Sequence, residues 1–377
     1  MSDGAIQQIF EAYERRGPGH YAEKILAGET PLYIYGAGNM GRNVCRVLKA
    51  QGRAPAAFLD RAAVRGSVLE GTPVLAPDAV PPGERRRARV FVAVWNTKAD
   101  IAAIRRTLLA LGYTDFVSLV SFHRAFAAEL GDQYWLGSRE IYSQERALIE
   151  EAFTLFSDEP SRALYAGLLR WRLLEDDFAQ PDASLDDQYF PEDLPPCPSP
   201  LRMADCGAFD GDTLREIARR GLRAEAIAAF EPDPVNFGKL AETARTLEYL
   251  RETSVTLYPC GVGRELKTIQ FAGSGAASSR ATDEGNVTTV CVPLDDALAA
   301  FRPNFIKMDI EGDEPDALRG AENLVKALRP RLALCVYHRP DHLWKIPLQA
   351  ARLLPNARHY LRQHGYCGFD TVYYALP

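Results

Sequence analysis

The feature that most constrains this chain is a motif it contains twice: a short apolar run that breaks into a glycine-bearing loop and then into an amphipathic stretch. The first copy is Leu32-Tyr33-Ile34-Tyr35, then Gly36-Ala37-Gly38-Asn39-Met40-Gly41, then a stretch with Val44, Val47 and Leu48. The second is Leu201-Arg202-Met203-Ala204, then Asp205-Cys206-Gly207-Ala208-Phe209-Asp210-Gly211-Asp212-Thr213, then a stretch with Leu214, Ile217 and Ala218. Strand-to-helix junctions of this kind build parallel sheets covered on both faces, with ligands outside the C-terminal strand ends. Two of them in 377 residues, enough for two cores, predict α/β architecture with two doubly wound units in series.

The runs around these junctions extend the reading. Further strands are expected at Ala56–Leu59 and Val90–Val94 in the first half. In the second half they are expected at 226–230, 255–258, 268–271, 288–292, 305–308, 332–336 and 371–376. Between the halves, residues 120 to 180 carry apolar positions at helical spacing, such as Leu148, Ala152, Leu155 and Phe156. The run Leu194-Pro195-Pro196-Cys197-Pro198-Ser199-Pro200 suits neither a helix nor a central strand, and marks the boundary region. The expected organisation is a helical lead-in over 1–28, broken by Gly17-Pro18-Gly19, and a Rossmann-like domain over 29–120. A helical connector over 121–184 leads to a second domain over 185–377.

Composition narrows the function classes. A net charge of -6 argues against a broad nucleic-acid surface, and Arg85-Arg86-Arg87 reads as a solvated loop. No apolar run approaches the roughly 20 residues of a membrane span, and Met1-Ser2-Asp3-Gly4-Ala5 lacks the layout of a signal peptide. The seven cysteines are scattered without a CxxC pair, so neither zinc nor a disulfide framework is expected and a reducing cytoplasm fits.

The chemistry concentrates in the second half. Gly207 and Gly211 let a ligand lie against the backbone where the strand becomes a helix. Asp205, Asp210 and Asp212 would repel a pyrophosphate but suit a cationic ligand such as S-adenosylmethionine (SAM), with its ammonium and sulfonium. Glu231, at the tip of the next strand, is placed to accept hydrogen bonds from two ribose hydroxyls. The plainer reading is a carboxylate that only opens the helix after Pro232-Asp233-Pro234. Gly261 and Val262 follow the third strand, in a turn that would wall an adenine or be merely a turn. Asp309 and Glu311 follow the fourth, where alternation along an extended segment would point both to the ligand. His338, after the fifth, is a candidate general base. His338 and His342 could suggest a metal, but Pro340 spoils an i,i+4 presentation, and no metal is expected.

At these residues the sequence resembles the FkbM family of methyltransferases. The matching pieces are DCGAFDGDT, AFEPDPVNF, PLDD followed by FIKMDIEGDE, and LALCVYHRPDHLWKIP; the closing LRQH and TVYYAL are also similar, and together they span about 185–377. The resemblance implies a class I methyltransferase fold, a seven-stranded sheet with its last strand antiparallel. It also implies SAM as cofactor and O-methylation of a sugar, glycan or related metabolite. Carried over, Asp205, Gly207, Gly211 and Glu231 would hold the cofactor, with Ala208, Asp210 and Thr213 in the same loop. Asp309 and Glu311 would sit by the transferred methyl. Gln188-Tyr189-Phe190 looks like a segment that precedes the family's first strand and would cover cofactor or acceptor.

The first unit leaves alternatives open. Gly36, Gly38 and Gly41 form a GxGxxG, and Asp60 lies 19 residues past Gly41, near the spacing of a dinucleotide fingerprint. An NAD(P)-dependent oxidoreductase is therefore a competitor, although the unit looks truncated after its third strand and no set for hydride transfer lies beside it. This segment is also similar to small Rossmann-like domains of sugar-modifying enzymes. It would then bind a nucleotide or nucleotide-sugar, or act as a scaffold supporting a homo-oligomer.

Overall fold

The computed structural model describes residues 4–16, 25–174, 181–271 and 287–377. The Gly17-Pro18-Gly19 break lies outside them. The chain forms two compact units, one of Met1–Arg146, Arg162–Leu185 and Gln363–Asp370, the other of Ala147–Ser161, Asp186–Arg362 and Thr371–Pro377. The stretch read as a connector is thus shared between the units. Among the described residues no helix is long and apolar enough to cross a membrane.

The first unit holds a six-stranded sheet of β1 (Leu32–Tyr35), β2 (Ala57–Leu59), β3 (Val68–Leu69), β4 (Thr72–Leu75), β5 (Arg89–Val92) and β6 (Asp115–Ser118), in the order β3-β4-β2-β1-β5-β6. All pairs are parallel except β3 with β4. The sequence showed three of these strands. β4 was hidden by Pro73, and β6 by its brevity and its opening Asp115. β1 is buried throughout, as a central parallel strand must be. An aromatic cluster of Trp95, Trp135, Trp171 and Phe369 packs in this unit with ring centroids 4.7–5.2 Å apart.

The second unit is built on β7 (Leu201–Cys206), β8 (Ala224–Phe230), β9 (Ser254–Tyr258), β10 (Gly261–Val262), β11 (Lys267–Phe271), β12 (Val287–Val292), β13 (Phe305–Met308), β14 (Arg331–Cys335), β15 (Arg358–Gln363) and β16 (Thr371–Leu376). Seven of these form one sheet, β15-β16-β14-β13-β7-β8-β9, and β10, β12 and β11 form a small separate one. β9, β8, β7, β13 and β14 run parallel, and β16 pairs antiparallel with β14. This is the expected seven-stranded sheet with its last strand reversed. Chain order reverses between β7 and β13, and in open α/β sheets ligands bind outside the C-terminal strand ends at such a switch point.

Candidate active site

β7 runs into its loop at Asp205, which is fully buried and meets the Lys307 ammonium at 3.0 Å. Lys307 stands on β13, donates to the Gly207 carbonyl at 2.6 Å, and lies 5.1 Å from the centroid of the Tyr189 ring. Burial opposes its charge, but Asp205, Asp309 and Asp212 outweigh that and hold it above the usual lysine range. Asp205 is thus joined through Lys307 to the backbone of the loop at Gly207.

Gly207 is left-handed (φ 82°), and a Cβ there would stand 1.9 Å from the Asp309 carbonyl oxygen. Only glycine lets the β7 loop touch the tip of β13. The amides of Gly207 and Ala208 both donate to the Phe230 carbonyl, at 3.0 and 2.9 Å, drawing the loop against β8. Gly211 opens the helix Asp212–Arg219, with Thr213 buried in its first turn. Asp210 pairs with Arg215 and stays partly exposed.

Glu231 continues β8 and is 6% exposed. One carboxylate oxygen accepts from the Phe209 amide at 2.9 Å, the other from the Asp233 amide at 2.9 Å. Burial is the main influence on it, and despite those two amides and Lys307 its pKa is raised to about 7. Asp233 caps the helix Pro234–Thr246 through the amides of Val235 and Asn236. The helix-opening role thus falls to Asp233. Gly261 and Val262 lie on β10, with Val262 buried.

At the tip of β13 the backbone turns instead of staying extended: Glu311 (φ 59°) and Gly312 (φ 112°) are both left-handed. The Glu314 side chain closes this turn by accepting from the Ile310 amide at 2.9 Å. Asp309 and Glu311 were expected to point to the ligand by strand alternation; the turn instead directs both toward one feature of the protein itself. That feature is His338, whose Nε2 lies 3.3 Å from Asp309 and 4.0 Å from Glu311, while Nδ1 lies 2.8 Å from Glu314. With a carboxylate at each nitrogen the ring is held as an imidazolium. Burial opposes this, but Glu314 and Asp309 prevail and hold His338 well above the usual histidine range. Asp309 also accepts from Tyr189 Oη at 2.7 Å and Tyr337 Oη at 3.3 Å. Burial would raise its pKa; His338, Lys307 and Tyr189 bring it down to about 2. Pro340 keeps the two histidines off a common helix, yet His342 Nδ1 reaches the same Glu314 at 3.4 Å.

Gln188, Tyr189 and Phe190 stand beside this cluster. Tyr189 is left-handed (φ 67°), Gln188 donates to its hydroxyl at 3.0 Å, and the Phe190 ring packs on Phe305 at 5.6 Å. Sequence reasoning missed Lys307, Glu314 and Tyr337, and weighed His342 only as a metal ligand. Lys307 carried a signal, because a lysine inside Phe305-Ile306-Lys307-Met308 has to be paired once the strand is buried.

In the first unit, Gly36 is left-handed (φ 104°) and a Cβ on Gly41 would lie 2.0 Å from the Gly36 carbonyl oxygen, while Gly38 faces open space. Asp60, just past β2, accepts from the amides of Ala37 at 3.0 Å and Ala62 at 2.9 Å.

Comparison with known proteins bears on the second unit most directly. Residues 205–367 match the model of the methyltransferase FkbM domain. The crystal structure of methyltransferase FkbM from Methylobacillus flagellatus KT at 2.20 Å resolution superimposes with a TM-score of 0.80. It is 20% identical and covers 99% of this chain and 100% of its own, a likeness of fold. A search of curated proteins gave no match.

Proposed function

We propose that the FkbM domain of this chain is a SAM-dependent O-methyltransferase whose acceptor is a hydroxyl of a sugar, a glycan or a related metabolite. The observation that carries the cofactor is Glu231: a buried carboxylate at a strand tip, tied by the Phe209 amide to a loop that only glycine can form at position 207. Two backbone amides leave each of its oxygens a further acceptor position for a ribose diol. The loop of Gly207, Ala208, Asp210, Gly211 and Thr213 offers backbone contact and negative charge to the amino-acid part of the cofactor. Gly261 and Val262 would flank the base.

When bound, SAM supplies a methyl group on a positively charged sulfur. The residues of this chain hold and orient the reactants, which can account for up to roughly 7–11 kcal/mol of barrier lowering. The acceptor hydroxyl also needs a base, worth about 10²–10⁴-fold. His338 already carries a proton on each nitrogen, and Asp309 at about 2 is too weak a base to compete. Glu311, on the same turn and 4.0 Å from His338, is the remaining candidate of the three for that role.

The ionisation of Glu231 gives a test. A carboxylate with a pKa of about 7 is mostly protonated at pH 6 and mostly ionised at pH 8, and the ionised form accepts both ribose hydroxyls. S-adenosylhomocysteine should bind about tenfold more tightly at pH 8 than at pH 6. Calorimetry on Glu231→Gln should show a flat profile over the same range. A sloping profile in that variant would place the titrating group elsewhere.

A nucleotide or nucleotide-sugar site in the first unit is a second reading, favoured by one specific parallel. Asp60 accepts from a glycine-loop amide and from the amide two residues on, as Glu231 does in the second unit. Gly36–Gly41 carries no acid, so the N-terminus of helix Asn39–Ala50 suits a phosphate. Titration with S-adenosylhomocysteine, NAD and UDP-sugars separates the readings. NAD binding with neither SAM species bound would overturn the methyltransferase and favour an oxidoreductase. No nucleotide binding at all would leave the first unit as a scaffold or oligomerisation module.

A further inference from the structure

We propose that Glu314 is the positioning residue of this site, fixing the aim of the His338 ring at Asp309 and Glu311 from a buried place at the start of helix Glu314–Arg319. What the ring serves rests on the methyltransferase reading; the geometry does not.

Glu314 is completely buried, and a lone carboxylate there would be untenable. It has three partners. The Ile310 amide donates to Oε1 at 2.9 Å, His338 Nδ1 lies 2.8 Å from the same oxygen, and His342 Nδ1 lies 3.4 Å from Oε2. One side chain thus closes the turn that carries Asp309 and Glu311 and sets a carboxylate oxygen at ion-pair distance from Nδ1 of the imidazole facing them. Because the ring is rigid, fixing Nδ1 fixes the direction of Nε2. A carboxylate behind an imidazole sets its orientation and charge in this way wherever histidine works in a site.

Asp309, Glu311 and Tyr337 lie on the Nε2 side or beside the ring, and His342 reaches Glu314 from the helix His342–Leu353. Arg339 borders Gly312, and Asp313 lies in the same turn. Lys307 acts on Asp309 by its charge and pairs with Asp205. Of these groups, Glu314 alone both contacts the ring at Nδ1 and holds the turn opposite Nε2.

The test is the ring-nitrogen spectrum of the ¹⁵N-labelled full chain, with the His338 signals assigned by their loss in His338→Gln. In the wild-type protein both ring nitrogens should stay protonated through pH 8. In Glu314→Gln, which keeps the size of the side chain and removes its charge, the midpoint should fall by at least about one pH unit. An unchanged midpoint and unchanged nitrogen shifts would overturn the proposal. Should that variant fail to fold, His342→Asn keeps Glu314 but removes the imidazole that lies 3.4 Å from its second oxygen. Solvent exchange of the His338 ring protons should then quicken at least about tenfold, and an unaltered rate would equally overturn it. Binding of S-adenosylhomocysteine by the wild-type protein tests the methyltransferase reading separately, since its failure leaves the ring result standing.

Discussion

Replacing Lys307 by methionine is expected to destabilise the second unit by about 3–5 kcal/mol, because it strands a buried carboxylate. Asp205 has no exposed surface, and its ion-pair partner is the Lys307 ammonium at 3.0 Å. The same ammonium satisfies the inward-turned carbonyl of Gly207 at 2.6 Å, so the loop above loses an anchor as well. The methionine fills most of the volume, which removes cavity formation as an explanation. Hydrogen exchange of peptides covering β7 and β13, with denaturant unfolding beside it, reads the loss. The control is the double variant Asp205→Leu with Lys307→Met. Removing both charges should recover most of the stability, since a buried pair replaced by apolar groups is often neutral. A single variant as stable as the wild type would mean the pair is open to water.

The sheet of the second unit was legible because β7, β8, β13, β14 and β16 are apolar runs, as strands buried on both faces must be. β15 was not, since Arg358-His359-Tyr360-Leu361-Arg362-Gln363 reads as polar. Its polar groups are satisfied by distant partners: His359 by the Tyr373 hydroxyl at 2.6 Å, Arg362 by Asp158 and Asp193. β4 and β6 escaped for local reasons, a proline in one and polar residues at both ends of a four-residue strand in the other.

The candidate site divides along the same line. Residues at strand tips, Glu231, Asp309 and His338, could be found from strand ends alone, because a parallel sheet gathers those ends on one edge. What each residue does there depends on its neighbours across strands. Asp205 has Lys307 as its ion-pair partner, and His338 has Glu314, and neither partner is announced by a strand end. Those pairings join residues 102 and 24 positions apart in the chain, and no local periodicity encodes them.

Replacing Glu231 by alanine should weaken S-adenosylhomocysteine binding by at least about 100-fold, close to 2.7 kcal/mol. Two hydrogen bonds from ribose hydroxyls to a charged acceptor, at about 1.5–3 kcal/mol each, are enough to account for it. The variant also releases the Phe209 and Asp233 amides, so a slackened loop is a second source of lost affinity. Glu231→Gln separates the two causes. Its amide oxygen can still accept from one of those backbone N–H groups, so a loss from loop disorder should be largely restored. A loss from the ribose should persist, because one acceptor oxygen has become a donor. The alanine variant should keep its fold, since Asp233 still caps the helix that follows through Val235 and Asn236. Unchanged affinity in a folded alanine variant would remove the ribose role of Glu231, and with it the observation on which the cofactor proposal rests.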